Sequence, residues 1–410
     1  MNQVALNPSY VLVLASAIFL LLIPTAVLGS YGILILYYGR KRVHSKKENQ
    51  AYLQETNEPK VSIVIPTHNE EDVIAAKIKN LLESSYPREK LQIIIVDDST
   101  DSTPDIVRAY HETVPQIELL RFDRRIGYSR SLIAGCQAAR GEIIVLSEAS
   151  SLMDPSTIPL LVSNFEDPTV GVVTGKSTIL NLDENLGRLE GSYLRILDFV
   201  RDAESEMHST VYMKGEAAAV RGDLVKDSTD LKDCPGTADT GIAFHVAKIG
   251  FRAIYDRRVK FYEYAPSTRK GRVQQKVTRG ANLIKILWQF RGMFFRKRYG
   301  KFGLIILPMN FAMLTLVPIS LLFGALFLCL LTMTNPIASL PIWIVICSVA
   351  FAMFLYSRTI LPMLLEFEYS LLRAIYEILF LEKTHDMIEK VNSTRRIAGE
   401  RSLHGLGGAN

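Results

Sequence analysis

Two long runs without a charged residue flank a polar central region of this 410-residue chain. One run occupies residues 4–39, and the other extends over residues 302–357. A bilayer-spanning helix needs about 20 apolar residues, so each run is long enough to cross a membrane. The turn sequence Thr334-Asn335-Pro336 lies near the middle of the second run. The pattern therefore predicts one transmembrane helix in residues 1–40 and two more in residues 302–357.

Basic residues directly follow the first apolar run, at Arg40, Lys41, Arg42, Lys46 and Lys47. A cleavable signal peptide would instead carry its positive charge ahead of a shorter apolar core. Lys and Arg residues collect on the cytoplasmic side of membrane spans, which predicts an external N-terminus. We therefore expect a multi-pass protein of the cell membrane whose domain at residues 48–280 is cytoplasmic.

Two further stretches combine apolar and charged residues at helical spacing. In residues 281–300, aromatic and basic side chains suit a helix lying on an anionic leaflet, with a basic helix on the soluble domain as the alternative. Residues 359–390 begin as an apolar stretch that carries several Glu and Arg side chains. Because charge at the bilayer centre is costly, an interfacial helix is favoured there over a fourth span. Residues 391–410 predict a flexible basic tail.

Charge and cysteine spacing exclude other classes of protein. The formal net charge is +5 at pH 7, and the basic residues cluster beside the apolar runs. This distribution does not indicate a nucleic-acid partner. The four Cys residues have no CxxC or His/Cys zinc spacing, so we expect them to be reduced and structural.

Strand and helix patterns alternate through the central region. Short β-branched runs indicate strands at residues 61–66, 91–96, 117–122 and 142–146. Amphipathic spacing indicates helices between them, at residues 70–83, 101–111 and 129–140. This alternation predicts a parallel α/β sheet covered by helices on both faces. Ligands of such sheets bind beyond the carboxyl ends of the strands.

Acidic residues lie at these strand ends. Glu70 follows the first strand, Asp97 and Asp98 follow the second, and Glu148 follows the fourth. No GxGxxG sequence follows the first strand, and no P-loop or GxSxG sequence occurs, so dinucleotide, P-loop and α/β-hydrolase sites are unsupported. Carboxylates instead suit ribose hydroxyls and a divalent metal ion that bridges a diphosphate.

Five strings occur in order within residues 61–280: VSIVIPTHNEE, IIIVDDSTDST, GEIIVLSEASSLMDP, TADTGIAFHVAKIGFRAIYD and QQKVTRG. They resemble the motifs of family-2 glycosyltransferases, and the flanking spans resemble the membrane-embedded branch that includes ceramide glucosyltransferase and hyaluronan synthase. The resemblance implies an α/β GT-A (nucleotide-diphospho-sugar transferase) domain flanked by transmembrane helices. It also implies inverting transfer from a nucleotide-sugar donor.

The resemblance assigns nucleotide contacts to the ends of the first two strands. Pro66, Thr67 and Glu70 lie where the family holds the base and ribose. Asp98, with Asp97 beside it, lies where an aspartate of the family contacts the uracil or ribose. A carboxylate can accept hydrogen bonds from two ribose hydroxyls at once. Capping of the following helix is the alternative for the two aspartates.

The family's metal-binding DxD motif aligns with Glu148-Ala149-Ser150. Glu148 can still ligate Mg²⁺ or Mn²⁺, since hard cations take any carboxylate oxygen as a ligand. Ser150 is a poorer substitute for the second carboxylate and would contact the metal through water. The resemblance thus implies a divalent metal ion, with a merely polar strand end at Glu148 as the alternative.

The catalytic base of the family aligns with Asp239, although Ala238 replaces the glutamate that precedes the base. One carboxylate near the attacking hydroxyl is enough to take its proton. A helix cap is the alternative role for Asp239.

The family's Gln-x-x-Arg-Trp element aligns with Lys276, Arg279 and Gly280. Lys276 and Arg279 lie one helical turn apart and would clamp the leaving diphosphate, with a basic stripe facing lipid head groups as the alternative. In processive polymer synthases the tryptophan stacks on the acceptor sugar, so Gly280 argues against processive synthesis.

We therefore expect inverting transfer of one sugar from a nucleotide sugar, a UDP-sugar by preference, to a membrane lipid or polyprenyl-phosphate-type acceptor on the cytoplasmic face. A processive polysaccharide synthase is the first alternative, and a non-catalytic membrane scaffold is the second. The residues leave the donor sugar and the identity of the acceptor open.

Overall fold

The computed structural model describes residues 8–45, 58–226, 228, 231, 234 and 238–381. The basic tail predicted at residues 391–410 lies outside these residues, as does the last part of the helix expected over 359–390. Lys46 and Lys47, which follow the first apolar run, are also outside them.

An eight-stranded mixed sheet forms the centre of the described domain, in the order β3-β2-β1-β4-β7-β6-β8-β5. The strands are β1 (Val61–Thr67), β2 (Leu91–Asp97), β3 (Ile117–Arg121), β4 (Ile143–Ser147), β5 (Leu152–Met153), β6 (Val170–Ile179), β7 (Ala217–Arg221) and β8 (Arg252–Glu263). Strands β1 to β4 run parallel, whereas β7 is antiparallel to both β4 and β6. The predicted parallel arrangement is therefore confirmed for the four strands that the pattern identified.

Twelve α-helices occur in the described residues. They are α1 (Pro8–Ser45), α2 (Ile74–Leu82), α3 (Thr103–Thr113), α4 (Tyr128–Ala138), α5 (Thr157–Ser163), α6 (Asn185–Met207), α7 (Ala238–Lys248), α8 (Arg269–Gln289), α9 (Leu307–Leu314), α10 (Leu316–Thr334), α11 (Pro336–Tyr356) and α12 (Ile360–Phe380).

Both faces of the sheet are buried, which explains the continuous apolar strands. Val64 packs in one cluster with residues of α4, α7 and α8. Its neighbours Ile63 and Ile65 pack in a second cluster with residues of α2, α3 and α5. A parallel strand covered on both sides has no solvent face, so polar and apolar residues do not alternate along it.

The strand register brings the loops of the predicted site to one edge of the sheet. Thr67 at the end of β1 pairs with Asp97 at the end of β2, and β4 runs parallel to β1 on its other side. The loops that carry Asp98 and Glu148 therefore open at the same edge.

Three helical segments in the described residues are long and apolar enough to cross a membrane. They are Val11–Lys41 in α1, Phe302–Thr334, which contains α9 and α10, and Ser339–Tyr356 in α11. Because α10 ends at Thr334 and α11 begins at Pro336, the predicted turn between two apolar helices is confirmed.

A buried glutamate ties the first apolar helix to the sheet domain. Glu204 on α6 accepts hydrogen bonds from the Tyr31 hydroxyl of α1 (2.6 Å) and from Asn310 Nδ2 of α9 (2.7 Å). Its other carboxylate oxygen accepts from Thr210 Oγ1 (2.7 Å) and from the Val211 N–H (3.2 Å). Four donors satisfy the buried carboxylate, so α1, α6 and α9 are held in one arrangement.

Residues 281–300 do not form a separate helix, so the bounds expected for that element are wrong, while its position at the membrane surface stays a prediction. This stretch begins inside α8, which starts at Arg269, and it continues as two short 3-10 turns. Leu283, Ile286 and Leu287 belong to the core cluster that contains α7, so they do not face a leaflet. Helical spacing alone cannot distinguish an apolar stripe that faces lipid from one that faces the protein core.

Helix α12 turns its charged side towards α8 and its apolar side outwards. Glu366 is buried in an ion pair with Arg272 of α8. On the outer side, Leu365 and Phe380 are 63% and 71% exposed. Because Arg272 of α8 pairs with Glu366, this charge does not prevent α12 from presenting apolar residues outwards. The interfacial position of α12 stays a prediction.

The buried ion pairs of Arg272 generate a prediction on stability. Arg272 is fully buried between Glu190 of α6 and Glu366 of α12. Replacing Glu366 by alanine should lower the free energy of unfolding by about 1.5–3 kcal/mol, since Arg272 loses a charge-assisted hydrogen bond but keeps Glu190 as a partner. Thermal unfolding of the full-length protein in detergent would measure the loss. The control Asp105→Ala removes a carboxylate from the exposed pair with Arg108 and should have a much smaller effect. Equal losses in the two variants would contradict this role.

Candidate active site

A cleft of about 330 Å³ lies at the edge of the sheet where β1, β2 and β4 end. Eight of the predicted site residues line it: Pro66, Thr67, Asp98, Glu148, Ser150, Asp239, Lys276 and Arg279. The lining also includes Leu314 of α9 and Phe367 and Leu371 of α12. One cleft therefore joins the strand ends to helices of the apolar region.

Three hydrogen bonds hold Asp98 at this cleft. Its Oδ1 lies 2.8 Å from His68 Nδ1, and its Oδ2 accepts from the N–H groups of Ile126 (2.8 Å) and Gly127 (3.3 Å). These bonds join the ends of β1 and β2 to the loop before α4. A carboxylate has about four acceptor positions, so Asp98 retains capacity for a ligand hydroxyl.

Asp97 does not line the cleft, in contrast to the prediction. It is fully buried, accepts a hydrogen bond from Thr67 Oγ1 (2.8 Å) and forms an ion pair with Arg121 of β3. Successive side chains along a strand point to opposite faces, which fits Asp97 at the end of β2 pointing away from the cleft that Asp98 lines. Asp97 therefore braces the ends of three neighbouring strands.

Glu70 also lies outside the cleft lining, with its side chain 1% exposed. Its carbonyl oxygen accepts from the N–H groups of Val73 (3.0 Å) and Ile74 (2.9 Å) where α2 begins. Its own N–H donates to Thr103 Oγ1 of α3 (2.9 Å). The backbone of Glu70 thus lies at the junction of two helices, and a nucleotide contact of its side chain stays a prediction.

Glu148 follows β4 and faces the cleft. Burial raises the pKa of its carboxyl to about 8, and the nearby carboxylates of Glu216 and Asp239 act in the same direction, whereas Arg279 opposes them. A carboxylate in such surroundings is stabilised by a cation.

Glu148 and Ser150 offer oxygen atoms, which are the type of ligand that a hard divalent cation prefers. Glu148 offers carboxylate oxygens and Ser150 offers a hydroxyl, and Mg²⁺ and Mn²⁺ prefer oxygen ligands. The described residues contain no group of three His, Cys, Asp or Glu side chains that could hold a metal ion alone. Diphosphate oxygens and water would therefore have to complete the coordination, as is usual for Mg²⁺ with few protein ligands.

Asp239 is the second residue of α7 and lines the cleft. Its Oδ2 accepts a hydrogen bond from the backbone N–H of Gly215 (3.0 Å). Burial raises the pKa of Asp239 to about 6, while the N–H of Thr240 opposes this shift and Glu216 adds to it. A carboxyl with this pKa is ionised at pH 7 and is a better proton acceptor than an ordinary aspartate, which suits a general base.

Gly215 lets the chain pass close to this carboxylate. A Cβ atom at this position would lie 2.6 Å from the Tyr128 hydroxyl and 3.3 Å from Asp239 Cβ. A side chain would therefore displace Tyr128 or the base. No sequence motif identified Gly215, because the requirement arises from residues far apart in the chain.

The structure also brings acidic residues into the cleft that the motifs did not identify. Ion pairs link Glu216 to Arg279 (3.5 Å), Glu190 to Lys276 (3.7 Å) and Glu263 to Lys214 (2.6 Å). Glu263 ends β8, so the strand-end rule could have found it once that strand was recognised, whereas Glu216 precedes the antiparallel strand β7 and falls outside that rule. Glu190 lies within α6, where no comparable signal exists. Among the described cleft carboxylates, Glu148 and Asp239 remain without an ion-pair partner.

Lys276 and Arg279 both line the cleft from one face of α8. Lys276 Nζ lies 3.6 Å from the centre of the Tyr193 ring, and burial lowers the pKa of this lysine to about 8 although Glu190 opposes the shift. Both cations therefore face the cleft and not lipid head groups. Their role as a diphosphate clamp stays a prediction.

Residues 62–227 match the family described as Glycosyl transferase family 2. The match includes strands β1 to β7 and, in the cleft, Asp98 and Glu148. The mixed sheet with flanking helices has the GT-A-like architecture expected from the sequence. The chain thus carries a glycosyltransferase family 2 domain, which confirms the resemblance.

Two curated relatives share part of this domain. The β-monoglucosyldiacylglycerol synthase of Nostoc sp. is 33% identical over 164 residues, which cover 39% of this chain and 34% of that protein. The poly-β-1,6-N-acetyl-D-glucosamine synthase of Staphylococcus aureus is 24% identical over 224 residues, which cover 53% of each chain. The matched segments thus span about half or less of these relatives.

One solved structure matches over a larger part of the chain. The mannosyltransferase PcManGT of Pyrobaculum calidifontis, in complex with GDP-Man and Mn²⁺, has a TM-score of 0.69 and 24% sequence identity. The match covers 89% of this chain and 100% of that chain. At this identity the likeness is evidence of a common fold.

The variant Asp239→Asn tests the proposed base. An amide cannot take up the acceptor proton, so turnover should fall about a hundredfold or more, while nucleotide binding should be nearly retained. Steady-state rates and calorimetry with a nucleoside diphosphate measure the two quantities. Near-normal turnover would mean that Asp239 is only a helix cap and that the base lies elsewhere.

The raised pKa of Asp239 also predicts a pH dependence. Only the ionised carboxylate accepts a proton, so kcat/KM for the acceptor should increase with pH around a midpoint near 6. The free energy of unfolding should change with pH in the opposite direction. The stabilisation from the protonated Asp239 carboxyl is fully present below its ordinary pKa of 3.8 and is lost as the pH rises through about 6. A pH–rate profile would measure the acidic limb. If the Asp239→Asn variant still shows an acidic limb with a midpoint near pH 6, the assignment of Asp239 as the general base would be contradicted.

Proposed function

We propose that this protein transfers one sugar from a nucleoside-diphosphate sugar to a lipid acceptor, with inversion at the anomeric carbon. The composition of the cleft carries this proposal. Glu148 and Asp239, which have no ion-pair partner among the described residues, share the cleft with Leu314 of α9 and Leu371 of α12. An acceptor with an apolar part explains why polar chemistry and apolar lining meet in one cavity.

The donor would lie with its nucleoside against Pro66, Thr67 and Asp98. The remaining acceptor capacity of Asp98 suits a ribose hydroxyl or a base N–H, and a UDP-sugar is the donor we favour. The diphosphate would face Lys276 and Arg279. The planar guanidinium of Arg279 can donate two parallel hydrogen bonds to phosphate oxygens, whereas Lys276 would act as a point charge.

A divalent metal ion, Mg²⁺ or Mn²⁺, would be held by Glu148, with Ser150 as a weak second ligand. When bound, such an ion neutralises charge on the diphosphate. The lack of an ion-pair partner for Glu148 among the described residues supports this assignment.

Inversion follows from one displacement by the acceptor hydroxyl. Asp239 takes the proton of that hydroxyl while the oxygen forms its bond to the anomeric carbon. The bond from this carbon to the diphosphate oxygen breaks, and the nucleoside diphosphate leaves with the electron pair. Arg279 would stabilise the charge of the leaving group. The N–H of Gly215 orients the carboxylate of the base.

A lipid acceptor and a single transfer are favoured over polymer synthesis. One relative is named for a monoglucosyldiacylglycerol product and another for poly-N-acetylglucosamine. At Gly280 a Cβ atom would already lie 3.2 Å from Leu371 Cδ2 of α12. The tryptophan implied at this position for processive synthases would require α12 to move, so a processive synthase is the second candidate.

We further infer that the sheet domain is cytoplasmic and that the chain is anchored in the cell membrane by several spans. Arg40 and Lys41 follow the first apolar segment, and basic residues on that side support this orientation.

A screen of labelled nucleotide sugars with native membranes tests the proposed function. We expect label that is extracted into organic solvent and corresponds to one sugar on a lipid. A water-soluble polymer or one of varied size would support processive synthesis instead. If the purified protein neither transfers sugar nor hydrolyses any donor, a non-catalytic scaffold is the better account. Membranes that carry Asp239→Asn serve as the control.

Two isosteric variants separate the metal role from the nucleoside role. Glu148→Gln should weaken nucleotide binding in Mn²⁺ but have little effect in chelator, because Glu148 would act through the ion. Asp98→Asn should weaken binding in both conditions, because Asp98 would contact the nucleoside directly. Calorimetry with a nucleoside diphosphate measures all four affinities. An identical loss for both variants in both conditions would remove the metal role from Glu148.

A further inference from the structure

A buried asparagine lies in the cleft next to the predicted diphosphate clamp. Asn282 is three residues after Arg279 on α8, about 4.5 Å further along the helix axis, on the same side of the helix. Its side chain is 1% exposed and lines the cleft. Neither the amide oxygen nor the amide nitrogen has a hydrogen-bond partner among the described residues.

A buried amide without hydrogen-bond partners destabilises the folded protein unless a ligand supplies those hydrogen bonds. A buried polar group without a partner has lost its hydrogen bonds to water and gained none in the protein, and Asn282 has one such donor group and one such acceptor. Buried polar groups of native proteins are nearly always paired, so an orphan in a binding cleft points to an absent partner.

The surroundings of Asn282 change from charged to apolar along α8. On one side lie Lys276 and Arg279, which pair with carboxylates. The next residue, Leu283, lines the same cleft, as do Leu314 of α9 and Leu371 of α12. Asn282 thus stands between the charged half of the cleft and its apolar half, where the head group of a lipid would meet its hydrocarbon part.

The chemistry of the amide favours a hydroxyl over a phosphate. A hydroxyl donates and accepts, and so does the Asn282 amide. A phosphate only accepts and calls for cations, whereas Lys276 and Arg279 of the same helix would already be engaged by the donor diphosphate. A phosphate monoester is also largely ionised at pH 7, with a second pKa near 6, so it would have little need of the base Asp239.

We propose that Asn282 binds the hydroxyl head group of the acceptor, and that the acceptor is a neutral lipid with a free hydroxyl, for which diacylglycerol serves as the probe. The apolar chains would lie against Leu314, Phe367 and Leu371. Asn282 would then orient the attacking hydroxyl towards Asp239. This inference rests on the proposed transfer to a lipid and names the class of that lipid.

Replacement of Asn282 by leucine, which has a similar volume and no polar atom, tests the inference. With labelled donor and diacylglycerol vesicles, KM for the lipid should rise at least tenfold. The loss in transfer should exceed any loss in donor hydrolysis by a similar factor. The Tm should stay the same or rise, because the variant removes an unpaired buried amide. A residue that merely supports packing would instead lower the Tm and reduce transfer and hydrolysis together.

Ser370→Ala is the matched control. Ser370 lines the same cleft, but its hydroxyl already donates to the Glu366 carbonyl oxygen within α12 (2.7 Å). This variant should leave KM for the lipid within about twofold of the parent. An equal rise in KM for Ser370→Ala and Asn282→Leu would mean that any change in the lining disturbs the acceptor, and the assignment to Asn282 would be wrong.

Polyprenyl phosphate in the same vesicles distinguishes the two head groups. The unchanged protein should prefer diacylglycerol, and Asn282→Asp should retain part of this transfer, since a carboxylate still accepts from a hydroxyl. A preference for polyprenyl phosphate would overturn the inference and leave the proposed lipid transfer intact. Donor hydrolysis without transfer to either lipid would contradict the proposed lipid transfer itself and this inference with it.

Discussion

Three cations on one face of α8 hold the charged half of the structure together. Arg272, Lys276 and Arg279 are separated by four and three residues, which aligns them along one side of the helix. Arg272 and Lys276 reach α6 through Glu190, Arg272 reaches α12 through Glu366, and Arg279 reaches the loop before β7 through Glu216. A buried ion that loses its partner costs several kcal/mol, so the buried pairs of Arg272 and Lys276 fix α6 and α12 relative to α8, while the half-exposed Arg279 contributes less. The cleft keeps its shape only while they are docked.

Arg272, Lys276 and Arg279 also determine which carboxylates of the cleft have no cationic partner and could bind a metal ion or a proton. Pairing with α8 leaves Glu190 and Glu216 as structural charges, and Lys214 does the same for Glu263. Glu148 and Asp239 stay without such partners in the described cleft, and both have raised pKa values because burial disfavours their charge. One position suits a metal ion and the other a general base. A division of roles between neighbouring carboxylates follows from how few cations reach them.

Residues at the strand ends could be predicted because a short local pattern determines them. Asp98 and Glu148 directly follow apolar strands, and both line the cleft. The pattern could not show which of Asp97 and Asp98 faces the cleft, since the direction of each side chain depends on where the strand ends in the folded sheet. Gly215 and Asn282 were beyond prediction, because a close approach and a missing partner exist only in the folded chain. The wrong bounds of the helix expected over residues 281–300 have the same origin, because buried and lipid-facing apolar stripes show the same helical spacing.

The stereochemistry of the product tests the central claim most directly. We infer one displacement assisted by a single base, Asp239, and this mechanism must reverse the configuration of the anomeric carbon. Proton NMR of the sugar-lipid product gives that configuration through its anomeric coupling constant, or through its carbon–hydrogen coupling where the sugar is mannose-like. We predict the configuration opposite to that of the donor. Retention would require a second nucleophile or a front-side mechanism and would contradict the role assigned to Asp239.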